Sequence, residues 1–333
     1  MTRKPAKKSP TKKKGAAAPH SEIEQAKRQL KELMESEDLI TPDDLKALFF
    51  SLAGPSRMDT LDDPESVAKD EAQQLAFDAM EAESEAEARK LAKRALRLDP
   101  DCVDALVLIT DLDARSTRET IEGLQKAVAA GERSLGAQFI RENTGHFWML
   151  IETRPYMRAM AQLAGVLFAE GLNLDAIRIY EKMLELNPND NQGVRDPLLG
   201  VYLAVNDLDG AGRLLKKYKD DAMANFAWGH VLERYLSGDL TGAAAALKKA
   251  RKANRFVELY MTGQKPIPKG MPEMYSPGSE EEAMLCMDGA GRAWAKHKEA
   301  VSWLLDQQGA DGRRAIPSKA TLKRAPVARK KLQ

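Results

Sequence analysis

Apolar positions from about residue 67 to 305 recur at intervals of three and four, and long alternating Val, Ile and Thr runs are absent, so the chain reads as helices. Met160, Leu163, Ala164 and Leu167 share one face of a helix, which Gly171 and Asn173 break. Ala176, Tyr180 and Met183 mark the face of a second helix, closed by Asn187-Pro188. The same intervals occur 88 residues earlier at Ala72, Leu75, Ala76, Ala79, Ala88, Ala92 and Pro100. A repeat of 34 residues leaves 20 unaccounted for in that shift, which predicts one hidden helix pair plus an insertion. Residues 101–113 and 117–130 supply the pair, with the turn at Arg115-Ser116, and residues 131–153 the insertion. Two weaker pairs follow, at 192–205 with 208–218 and at 224–236 with 241–253.

Small residues at Ala88, Ala176, Ala211, Gly212 and Ala243–Ala246 let paired helices approach closely, and a large side chain at Ala88 or Ala176 should overpack the contact. After the proline-rich loop 264–272, a last helix is expected over about 279–307, capping the open end of the stack. Ser279 with Glu282 reads as its capping box, the hydroxyl accepting from the residue 282 amide and the carboxylate returning to the cap. Upstream, a polar helix is expected over 21–36 and a second from Thr41, with Leu45, Leu48, Phe49 and Leu52 on one face; 54–66 reads as a linker.

Met160-x2-Leu163-Ala164-x2-Leu167, Ala176-x3-Tyr180 and Pro188 resemble the tetratricopeptide repeat. The irregular segments Gly145-His146-Phe147-Trp148, Glu152–Arg158, Asn187–Arg195 and Tyr275–Glu281 are similar to bacterial relatives of the suppressor of tumorigenicity 7 family. That resemblance covers about residues 67–305 and implies a helical repeat fold and protein–protein interaction. It carries no catalytic residues, and the membrane association of animal members has no counterpart segment here. The expected fold is an all-α, right-handed solenoid of tetratricopeptide-like helix pairs. N-terminal helices precede it, an insertion follows the second pair and a capping helix closes it. The expected domains are a basic arm (1–20), short helices and linker (21–66), the repeat domain (67–311) and a second basic arm (312–333).

Charge changes this picture at the ends only. The formal net charge is +1, yet residues 1–14 carry seven basic side chains and 313–333 carry eight, without an acid in either. The remaining 36 basic residues face 50 acidic ones, so the body is near −14. Lys12, Lys13, Lys14, Lys323, Arg324 and Lys330 could touch nucleic-acid phosphates non-specifically; with no interleaved aromatics they have no means of reading bases. Solubilising tails, or arms folded against the acidic body, are equally ordinary readings. Cys102 and Cys286 lie far apart in apolar surroundings, which suits inert thiols in a reducing compartment. No apolar run approaches the ~18–20 residues that span a bilayer, and no apolar leader follows the basic start, so a cytoplasmic protein is expected.

The chemistry expected is recognition rather than catalysis. His20, His146, His230 and His297 have no ligand spacing for zinc, and phosphate loops and a nucleophile elbow are missing, so no cofactor or metal is expected. The second and fifth positions of each first helix should line a concave groove. Arg154, Arg158, Gln192, Arg195 and Tyr202 are therefore the candidate residues for holding a protein or peptide partner, an acidic one if the arginines grip it. The competing reading pairs those arginines with local acids such as Glu152, Glu185 or Asp196. Phe147, Trp148 and Tyr156 either anchor the insertion or form a second contact surface. The function read is that of an adaptor. The alternatives are a nucleic-acid-associated protein acting through its arms and an enzyme of unrecognised type.

Overall fold

The computed structural model describes residues 64–270, 272 and 274–310. The two basic arms and the helices expected at 21–52 lie outside these residues. Among the described residues there are fifteen α-helices and no strand. They form two compact units that divide between Gln192 and Gly193.

In the first unit, α1 (Pro64–Met80) pairs with α2 (Glu85–Leu98), and α3 (Val103–Asp113) with α4 (Thr117–Leu135). After the short α5 (Ala137–Glu142) and two 3-10 turns, α6 (Arg154–Ala169) pairs with α7 (Asn173–Leu186). The hidden pair is α3 and α4, with its turn where the spacing places it. Helix α1 begins three residues inside the expected linker, with Pro64 at its start, where the missing amide costs nothing. Ser84 and Ser116 cap α2 and α4 by accepting from Glu87 and Glu119 amides. The repeat alanines are contact points: Ala72, Ala76, Ala92, Ala95 and Ala105 form one buried cluster with Leu75, Ala79 and Cys102. Their small size brings backbones together and leaves neighbouring leucines to fill the flanks.

The insertion is fastened by its aromatics. Phe147 and Tyr156 are buried and meet edge to face at 6.4 Å, and the Tyr156 hydroxyl donates to Glu132 at 3.1 Å. A Cβ added at Gly131 would come within 2.7 Å of the Tyr156 ring, so α4 needs glycine where the ring crosses it. The Arg154 guanidinium donates to the Trp148 carbonyl at 3.2 Å and lies 4.9 Å from that ring's centre. The anchor reading of Phe147 and Tyr156 accounts for this burial.

In the second unit, α8 (Arg195–Ala204) pairs with α9 (Leu208–Lys217), and α10 (Ala224–Leu236) with α11 (Leu240–Ala253). Asp207 and Asp239 cap α9 and α11 through the amides of Gly210 and Gly242. A short α12 (Phe256–Met261), which the pattern does not announce, follows. The single helix expected over 279–307 is three: α13 (Glu280–Asp288), α14 (Ala290–Lys296) and α15 (Lys298–Ala310), broken at Gly289 and His297. The breaks let this segment fold back, so that α14 lies against α8 and α10. Gly200 and Gly289 meet there: a Cβ on Gly200 would stand 2.8 Å from the Gly289 carbonyl oxygen.

Buried polar groups lock the fold-back. Asn225 on α10 donates to the Asp196 carbonyl at 3.1 Å and accepts from the Ala290 amide at 2.7 Å. Trp294 donates to the Trp228 carbonyl at 3.2 Å, Trp228 donates to the Asn254 carbonyl at 3.2 Å, and both indoles are buried. Ser279 does cap α13 through the Glu282 amide at 3.2 Å, but the returning carboxylate departs from the expected box. Glu282 is buried and accepts from the Gly278 amide, the Ala224 amide and the Asn254 side chain, tying the start of α10 to the segment that covers it.

Candidate functional site

The five residues expected to line a groove sit in different surroundings. In the first unit, Arg154 is buried in the insertion, occupied with Trp148. One turn on, Arg158 grips Asp104 of α3 from Nε at 3.1 Å and Nη2 at 2.5 Å, and Gln73 of α1 donates to the same carboxylate at 2.7 Å. The carboxylate is 3% exposed and the arginine side chain 32%. Gln192 reaches back to the Met157 carbonyl at 3.4 Å, next to Arg158 in sequence.

In the second unit, Arg195 donates to Asp221 at 2.7 Å, with its guanidinium carbon 5.3 Å from the Tyr218 ring centre and 5.9 Å from that of Phe226. Tyr202 is 4% exposed, and a Cβ on Gly210 would meet its ring at 2.6 Å, so it works as core. Asp104 thus holds Arg158, and Asp221 holds Arg195. The bidentate Arg158–Asp104 pair, with its desolvated carboxylate, is a strong structural tie, because removing either member strands the other.

Asp104 and Gln73 were legible by the rule that picked Arg158. Counted in 34-residue repeats from 69 and 103, Gln73 is at the fifth position and Asp104 at the second, as Arg158 is at the second counted from 157. The rule brings all three onto one face. Beside them on α3 and α6, Val107 and Ala161 are half-buried, and Gln162 donates to the exposed Asp111 at 2.9 Å. The Asp104–Arg158 pair cancels, which leaves Asp111 as the exposed charge among these residues.

The first helices of the second unit are differently placed, because α14 lies against both α8 and α10. An opening in this unit is a cleft of about 580 Å³ between α9, α10 and α11. Tyr218, Asp221 and Phe226, the partners of Arg195, form part of its lining. The cleft carries Lys216 and Lys219 on one side and Lys249 on the other, residues the groove rule does not reach.

Cys286 is buried, and burial, with Asp196 and Glu282 nearby, pushes its thiol well above the usual range, which keeps it protonated. Among the described residues no group of three or more His, Cys, Asp and Glu side chains could hold a metal ion, and no helix is long and apolar enough to cross a membrane. No protein-family model and no curated protein matches the chain.

Proposed function

We propose that this protein is an adaptor that binds a segment of another protein along the first helices of its first unit. It is read as a right-handed, tetratricopeptide-like solenoid related to bacterial members of the suppressor of tumorigenicity 7 family. The observation carrying the reading is the shared face of α1, α3 and α6, where Gln73, Asp104 and Arg158 interlock beside the accessible Val107, Asp111, Ala161 and Gln162. Interlocked polar groups hold their geometry before a ligand arrives, which lowers the ordering cost of binding. Arg158 stays partly accessible on that face, where it can donate to a carboxylate or carbonyl while Asp104 holds it in place. Recurrence of the 34-residue intervals, together with pairing of consecutive helices, supports the repeat reading.

A photo-crosslinking residue at Val107 or Ala161 tests the reading, compared with one at Lys93, an exposed position on α2. The expected outcome is one partner captured from the first two positions and not from the third. Capture of the same protein from all three positions, or from Lys93 alone, overturns the proposal.

The segregation of fifteen basic residues into the two ends favours a second reading, in which the arms add non-specific nucleic-acid contact. Deleting 1–14 and 313–333 should then remove any salt-sensitive mobility shift, and a shift that survives the deletion contradicts it.

A further inference from the structure

The cleft of the second unit has its own chemistry. Helix α10 packs against both α9 and α11 and supplies the floor, with Phe226, Ala227 and His230 facing into the opening. The room comes from small residues: Ala246 and Ala253 on α11, and Gly212 on α9, where an added Cβ would meet nothing within 4 Å.

Two acids line the cleft, and each is already held by an arginine. Asp221 is tied to Arg195, and Glu233 accepts two hydrogen bonds from Arg234 at 2.5 and 2.6 Å. What remains is the charge of Lys216 and Lys219 at the end of α9 and of Lys249 on α11, all three exposed. Positive charge therefore flanks an apolar floor from both sides.

We propose that this cleft binds an acidic, apolar peptide segment of a partner protein, whose apolar side chains meet Leu215 and Ala227 while its carboxylates reach the three lysines. Lysines on flexible stems suit carboxylates spaced along a chain, since each is a point charge without a fixed fork. The start of α10, which could otherwise offer amides to a phosphate, is covered by Glu282 through the Ala224 amide. His230 adds to the match: desolvation in the cleft lowers its pKa, and Arg234 and Lys249 lower it further against the pull of Glu233. An arriving carboxylate would favour its charged form.

The test is fluorescence anisotropy with the full chain and a labelled peptide of about a dozen residues that mixes glutamate and leucine, at low salt where surface charge acts most strongly. The wild-type chain should bind it and should not bind a version with lysine for glutamate. Lys216→Glu with Lys249→Glu should weaken binding at least tenfold, and so should Gly212→Trp, which fills the opening from a position with space. Lys93→Glu with Lys126→Glu, the same charge change on the first unit, should alter it less than twofold. Thermal melts establish that each variant is folded, and if the double cleft variant is not, Gly212→Trp carries the comparison.

The proposal is overturned by an affinity weaker than about 1 mM, or by cleft variants that bind as the wild type does. It is also overturned if pyrophosphate displaces the peptide at submillimolar concentration, which marks a generic anion site. A labelled single-stranded oligonucleotide that binds more tightly and is lost in the same variants would reassign the cleft to nucleic acid. None of these results touches the crosslinks at Val107 and Ala161, so the adaptor reading of the first unit stands or falls separately.

Discussion

Arg158 and Asp104, 54 residues apart, are joined by two hydrogen bonds that bring α6 onto α3 and leave the carboxylate almost without access to water. The pair makes Arg158 a structural residue before it is a binding one. Arg158→Ala should therefore cost about 3–5 kcal/mol, the usual penalty for stranding a buried charge, while Asp104→Asn with Arg158→Gln should recover part of it. Urea denaturation of the single and double variants measures both. A loss under about 1 kcal/mol for Arg158→Ala would show the pair to be an ordinary surface bridge. Charge reversal at Arg158 is for the same reason a poor probe of ligand binding, since it would unfold the face it is meant to test.

Two helical glycines in the second unit should respond to alanine in opposite directions. Gly200→Ala drives a methyl group into the Gly289 carbonyl and should destabilise by about 1–3 kcal/mol. Gly212→Ala meets open space and should stabilise by about 0.5–1 kcal/mol, because alanine loses less backbone freedom in a helix. Melting temperatures of the two variants check the prediction, and equal shifts in one direction would refute it.

Removing the Trp294 side chain takes away a buried indole, its hydrogen bond and its edge contact with Trp228 at 6.4 Å. Trp294→Ala should cost about 3–5 kcal/mol and raise tryptophan emission exposure at Trp228. Trp294→Phe keeps most of the volume and should cost clearly less.

The Lys265 ammonium beside Glu280, and the Tyr260 hydroxyl donating to it at 2.7 Å, hold its carboxyl below the usual carboxylate range. Because the folded pKa is the lower one, this stabilisation is complete above the unfolded value of about 4.3 and is lost as pH falls from there through the lower folded value. Glu280→Gln should leave stability at pH 7 lower and flatten its decline between about pH 5 and 3. A decline as steep as that of the wild type would mean that Glu280 contributes nothing to the acid limb.

Much of the fold was legible because its determinants are local. The 88-residue recurrence located four helices and implied a hidden pair, and the caps at Ser84, Ser116, Asp207 and Asp239 sit where a polar residue precedes an apolar period. The breaks at Gly289 and His297 were not legible, since glycine and histidine are tolerated inside helices. What decides there is tertiary: α14 turns so that Gly289 can meet Gly200 and Trp294 can reach Trp228. The partners of Arg158 and Arg195 were not legible for a related reason. Glu152, Glu185 and Asp196 were weighed because they are near in sequence, whereas Asp104 and Asp221 are near only once α3, α6 and α8 are in place. The lysine cleft could have been suspected from alanines and glycine facing exposed lysines on α9 and α11, a signal as common on solvated surfaces as at sites.

The fold-back of residues 280–310 also bears on how the second unit is made. A plain array of helix pairs can grow one hairpin at a time, each complete once its neighbour exists. Here Trp228 waits for a partner 66 residues downstream, and the Ala224 amide for one 58 residues downstream. Until α14 emerges, α8 and α10 leave the ribosome with a bare apolar flank, and closing so long a loop is slow. The unit should mature in one late step rather than pair by pair, and a nascent chain halted before residue 290 is the species a chaperone would hold.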